Sequence, residues 1–148
     1  MKLKAATRAL ALAGIVVALD QATKAAVASN IDRGGTVHVI PGIELTNVRN
    51  SGVAFGLVSG ASPILIGLTI VALIGVLSYL AAGSTGPRVW VSGGLLLGGA
   101  LANLADRVRI DSVIDWVDVP AWPTFNLADA AIVIGVFCLV LIPDRQDE

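Results

Sequence analysis

The stretch 61–82, ASPILIGLTIVALIGVLSYLAA, carries no charged side chain from end to end. About 20 such residues are enough to cross a bilayer as a helix, and a helix apolar on every face has no ordinary place on a soluble surface. Three more runs approach that character, at 9–28, 89–105 and 125–142. With 55% hydrophobic and 14% charged residues among 148, the chain lies far from the soluble average. The expectation is an all-α integral membrane protein, a single membrane domain with four transmembrane helices.

The first run admits Asp20 and Lys24 near its end. MKLKAATRALALAGIVVAL followed by AVAS has the charged start, apolar middle and small-residue end of a secretory signal. Those two charges separate the apolar part from the cleavage-like site, and three further runs follow, so the segment reads as a retained helix. Asp20 and Lys24 stand at i and i+4 in acid-before-base order, an arrangement that partly neutralises both near a membrane boundary.

Four spans put both termini on one side. Lys2, Lys4, Arg8, Arg88 and Arg145 fall there, while Lys24, Arg33, Arg49, Arg107 and Arg109 fall opposite. The tie is resolved by the basic N-terminus and the short 83–89 loop, which orient both termini to the cytoplasm. Loops 29–60 and 106–124 are then extracytoplasmic. The first contains TVHVIPGIELTNV, β-branched stretches around a Pro-Gly turn signal, and predicts a small β-hairpin at the membrane surface. Trp116 and Trp122 on that side, and Trp90 on the other, suit interfacial anchoring belts.

A formal net charge of -1 gives no reason to expect a nucleic-acid partner. His38 is the only histidine and Cys138 the only cysteine, so neither a metal-ligand cluster nor an intrachain disulfide is expected. The glycines form no phosphate loop, and no cofactor is expected. What needs explaining is TFNLADAAIVIG, 124–135, where Asn126 and Asp129 sit a turn apart at the start of an apolar run. Carboxylates in such places face a bundle interior or a wet cavity and mark function, or else they snorkel from a helix N-terminus. Asp115, in SVIDWVDVP, is a second carboxylate on a segment expected to hug or re-enter the membrane beside the last helix. Two acids sharing a site cannot both ionise easily, so one stays protonated while the other acts as base toward water, a peptide-hydrolysing arrangement. By spacing alone Asp111 or Asp118 serves as partner equally well, and solvated loop acids are the ordinary alternative. In GGALANLADR, 98–107, Asn103 and Arg107 follow Gly99 at successive i+4 steps and offer one polar face; the bland reading is a helix end with an Asp106–Arg107 pair. Asn50, before a glycine, is either a turn residue or a further polar contributor. A proton or ion transporter would place its acids near the midplane, and a scaffold would need no such cluster.

Read together, DQATK (20–24), NSGVAFG (50–56), GGALANLADR (98–107) and VIDWVDV…WPTFNLADA (113–130) resemble the lipoprotein signal peptidases, the signal peptidase II family of four-helix membrane aspartyl proteases. The stretches keep the family's order over nearly the whole chain. The resemblance implies a catalytic dyad of Asp115 and Asp129. It also implies that Asn50, Gly99, Asn103, Arg107, Val113, Phe125, Asn126 and Ala128 lie around the active site, with Asp20 and Lys24 as a supporting pair. The implied activity is removal of the signal peptide from diacylglyceryl-modified prolipoproteins, before the lipidated cysteine, at the outer face of the bacterial cytoplasmic (inner) membrane. Membrane lipids are the other expected partner, and a monomer the expected state. Ala102 stands where the family usually has glycine, and Trp116 where phenylalanine is common.

Overall fold

In the computed structural model, which describes residues 2–52, 62–81 and 86–141, the first apolar run is one long helix, α1 (Lys2–Asn30). Its buried residues Ala5, Ala9, Ala13, Val16, Asp20, Lys24 and Val27 recur every three or four positions, which is one helical face. Along that stripe, small apolar side chains give way to an ion pair. α2 (Ser62–Ala81), α3 (Pro87–Ile110) and α4 (Leu127–Leu141) complete the helices. α3 is central and packs on the other three. A Cβ on Gly94 would stand 2.8 Å from the Ala9 carbonyl oxygen, and one on Gly98 2.7 Å from Val16 Cβ. Only glycine lets α1 and α3 approach this closely, as small residues do where no hydrophobic effect drives helices together in lipid. α2 leans chiefly on α3, where Ala13, Leu73 and Leu97 form a small buried cluster.

On the helices, large apolar side chains face outward while an ion cluster is buried. Ile64, Leu68 and Val71 of α2 and Val133, Phe137 and Val140 of α4 are exposed, whereas Asp20, Lys24 and Asp106 are buried. This inversion is what lipid as solvent demands. α1 and α3 are long and apolar enough to cross a membrane, and α2 and α4 are shorter apolar helices.

Several helix ends differ from the expectation: α1 runs Lys2–Asn30 rather than 9–28, and α3 starts at Pro87 rather than 89. α3 runs to Ile110 rather than 105, so Asp106, Arg107 and Arg109 lie inside a helix and not in a loop. The charge of Asp106 is met by Lys24 and Arg109, which removes the need to end the helix before it. α4 begins at Leu127 rather than 125, because Phe125 is extended backbone bonded to Val117. The expected ends at 61, 82 and 142, Arg145, and 53–56 of the motif at 50–56 fall outside the described residues.

The all-α expectation with a lone hairpin also needs correcting. The hairpin is present as β1 (Thr36–Ile40) and β2 (Ile43–Asn50), antiparallel, turning at Pro41 and Gly42, with Gly42 at φ +84. A third strand, β3 (Val113–Asp118), comes from the second loop and pairs antiparallel with β2, giving the order β1-β2-β3. The segment expected to hug the membrane is thus a sheet strand. Its register sets Val48 opposite Asp115 and Asn50 opposite Val113, so Asn50 and Asp115 share one face.

Candidate active site

Asn126 immediately precedes α4, and Asp129 is the third residue inside it. The Asp129 amide donates to Asn126 Oδ1 at 2.9 Å, and the Asn126 amide donates to Asp129 Oδ2 at 3.2 Å. This reciprocal pair is a capping box, with Asn and Asp in place of the usual Ser and Glu. A third α4 amide, that of Ala128, donates to Asp20 Oδ1 of α1 at 2.9 Å. The first turn of α4 is therefore fixed by its own cap and by a buried carboxylate from another helix. Gly99 permits the approach: a Cβ there would lie 2.5 Å from the Ala128 carbonyl oxygen.

From this cap the polar network spreads. Asn126 Nδ2 donates to Asp115 Oδ1 at 2.7 Å and to Asn103 Oδ1 at 3.2 Å. Asn103 Nδ2 in turn donates to Asp129 Oδ1 at 2.8 Å, and Asn50 Nδ2 donates to Asp115 Oδ2 at 2.8 Å. Asn50 is itself oriented, since its Oδ1 accepts the Gly52 amide at 2.8 Å. Three asparagines thus aim the Asp115 and Asp129 carboxyls into one region. Burial pushes the Asp115 carboxyl up from 3.8 to about 6; the Asn50 amide pulls the other way and the Asp129 carboxylate adds to the rise.

Lys24 underlies the arrangement. Its ammonium reaches Asp20 Oδ2 at 2.7 Å, Asp106 Oδ2 at 2.9 Å and Asn103 Oδ1 at 3.0 Å, so all three of its hydrogens are engaged. Asp106 further accepts from Gln21 at 2.9 Å and Arg109 at 3.1 Å, and Gln21 also meets Arg109. A buried ion cluster of this kind persists only when each charge is paired and hydrogen-bonded, as these are.

Of the residues singled out in the sequence, Asn50, Asn103, Asp115, Asn126 and Asp129 form one connected network, and Asp20 and Lys24 support it from behind. Gly99 and Ala128 supply the close helix contact. Val113 is buried opposite Asn50 in the sheet, and Phe125 is held against Val117. Of the other possible partners, Asp111 is exposed at the end of α3, and Asp118 is opposite Glu44 on the face of the sheet away from Asp115. Arg107 does not pair with Asp106. It lines, with Asn103 and Asp129, a cleft of about 350 Å³ whose apolar walls include Leu65, Leu68 and Ala72 of α2, and its Nε is buried without a partner. A second apolar cleft of about 260 Å³, walled by Trp122, Phe125 and Val133, reaches Asp129 from the other side of α4. The sequence reading missed Asp106 and Gln21 as supporting residues. Among the described residues no three His, Cys, Asp or Glu side chains converge to hold a metal ion.

The fold recurs in solved proteins. A bacterial membrane enzyme determined at 1.9 Å by the in meso method superposes with a TM-score of 0.85 at 31% identity, covering 94% of both chains. A second, at 2.3 Å, gives 0.83 at 30% identity over 95% of this chain and 93% of its own. The class is therefore a membrane enzyme. The family described as signal peptidase (SPase) II matches residues 12–143. A lipoprotein signal peptidase of Nitratidesulfovibrio vulgaris (strain DP4) is 39% identical over 147 residues, which is 93% of this chain and 89% of the relative. Another from Pelotomaculum thermopropionicum is 42% identical over 127 residues, 84% of each. The chain belongs to the signal peptidase II family and is a peptidase.

Proposed function

We propose that this chain is an aspartic endopeptidase that removes signal peptides from diacylglyceryl-modified prolipoproteins, cutting before the lipidated cysteine. The observation that carries the reading is the Asn126 side chain, which caps Asp129 with one atom and binds Asp115 with the other. Asp115, whose value is raised, holds the proton at the start, and Asp129 is the base. Asp129 takes a proton from water, whose oxygen bonds to the scissile carbonyl carbon while Asp115 protonates the carbonyl oxygen. In the resulting tetrahedral intermediate Asp129 returns its proton to the amide nitrogen, Asp115 recovers its own from a hydroxyl, and the C–N bond breaks. The products are a signal peptide carboxyl and the free amine of the lipidated cysteine.

The two clefts that meet at Asp129 suit a substrate with apolar parts on both sides of the scissile bond. Arg107, in the wall of the larger one, is placed to bind a substrate carbonyl oxygen. In this reading α1 to α4 all span the cytoplasmic membrane, both termini face the cytoplasm, the sheet lies outside, and the enzyme works as a monomer. Cleavage of a diacylglyceryl-modified prolipoprotein peptide by the purified protein, beside folded Asp115→Asn and Asp129→Asn, is the test. Wild-type cutting with both variants inactive is the expected result; normal cutting by either variant removes it from the dyad.

A further inference from the structure

We infer that the chain carries a second polar site, separate from the carboxylates, that binds the phosphate of an anionic phospholipid. Arg33, Arg49, Ile110 and Ser112 line a cleft of about 230 Å³ where the turn after α1, strand β2 and the end of α3 meet. Neither guanidinium has a carboxylate within salt-bridge distance among the described residues, although Asp32 and Asp111 are close in sequence. Arg49 Nη1 is buried with no hydrogen-bond partner, and Ser112 is more than nine-tenths buried. An unmatched buried guanidinium N–H is costly, and a planar donor fork of this kind matches phosphate oxygens.

The cleft is also built. Asn47, two residues before Arg49, donates from Nδ2 to the Ile31 carbonyl at 2.8 Å. Its backbone accepts from the Gly34 amide at 2.8 Å and donates to the Gly35 carbonyl at 3.2 Å. These bonds pin the turn that carries Arg33 onto β2 on both sides of the arginine. Capping the end of α3 is not the arginines' task, because that end has its own partners. The Asp111 amide donates to the Arg107 carbonyl, and the Ser112 hydroxyl to the Ile110 carbonyl.

The surroundings select a lipid over a free ion. The cleft lies where α1 and α3, the two helices long and apolar enough to cross a membrane, both end, and the exposed Ile110 forms an apolar part of its lining. A phosphate with acyl chains attached fits that level of the fold; inorganic phosphate would make no use of the apolar part of the lining.

The test counts lipid held by the purified protein in detergent, by native mass spectrometry, after addition of phosphatidylglycerol or of dipalmitoylglycerol, which lacks the phosphate. Phosphatidylglycerol binding is expected to weaken about tenfold or more in the Arg33→Gln/Arg49→Gln double variant, with dipalmitoylglycerol binding unchanged. Equal phosphatidylglycerol retention by wild type and the double variant overturns the site. Inorganic phosphate, titrated alone and followed by its phosphorus resonance, is expected not to bind; tight binding that the double variant loses overturns the lipid source. Should the double variant fail to fold, Arg33→Gln alone, at an exposed residue, carries the same comparison. The readout does not involve peptide cleavage, so its failure leaves the proposed reaction untouched.

Discussion

Asp115→Asn removes the carboxyl whose burial raises it from 3.8 to about 6, and the structure fixes how the fold should respond to pH. A carboxyl raised in the native state favours folding when protonated. That contribution is fully present below 3.8 and is lost as pH rises through 6. The gap corresponds to about 3 kcal/mol at about 1.4 kcal/mol per pH unit. The amide has no such dependence, but it has a cost of its own. Both Asp115 oxygens accept from side-chain amides, and the oxygens of those amides are already engaged by Gly52 and Asp129. The introduced side-chain amide would therefore set an NH₂ against an NH₂, costing about 1–3 kcal/mol at every pH. The variant should be less stable than wild type at pH 4 and level with it or more stable at pH 8, although inactive at both. Reversible unfolding in mixed detergent micelles at the two pH values gives the comparison. A stability difference that stays constant from pH 4 to pH 8 would refute the assignment of Asp115 as the raised carboxyl.

Lys24→Met strands Asp20 and Asp106, both fully buried, without their shared cation, and should destabilise the protein by about 3–5 kcal/mol in thermal unfolding. A change below about 1 kcal/mol would show that the cluster is solvated in the membrane. Asn126→Ala should lower kcat about hundredfold, by releasing Asp115 and Asp129 together, while the lost cap costs only about 1 kcal/mol of stability. Steady-state kinetics beside an unfolding curve separates the two effects. Gly99→Ala forces a Cβ against the Ala128 backbone, whereas the same change at Gly75, with open space around it, does not. A loss of about 1–3 kcal/mol at 99 and little at 75 is expected from the two melting curves.

The helices and the hairpin were legible because each is announced locally, by an apolar run or by a Pro-Gly pair between β-branched stretches. The third strand was not, because β3 pairs with a partner more than sixty positions earlier and its short alternation fits a membrane-hugging segment equally well. The start of α4 was legible in principle: Asn126 and Asp129 have the spacing of a capping box, but counting apolar residues begins the helix at Phe125. Gly99, Asn103 and Arg107 were readable as one face from their i+4 steps. Asp106 was not recognised, since its partners Gln21 and Lys24 lie on another helix some eighty residues away and sequence spacing says nothing of them. For the same reason Asp118 could be set aside only once the sheet register was known, and Asp111 only once its exposed place at the end of α3 was.

The larger cleft at Asp129 has walls of different origin. Its polar end comes from α3 and α4, whereas Leu65, Leu68, Thr69, Ala72 and Val76 come from α2, which leans chiefly on α3. None of the hydrogen bonds that connect the two carboxyls to the asparagines and Lys24 uses an α2 side chain. Substitutions along α2 can therefore change the width and contour of the cleft while the carboxyls keep their partners. Part of the fit is separable from the chemistry in this molecule, free to drift at its own rate, because the α2 wall of the cleft carries none of the groups that hold the carboxyls.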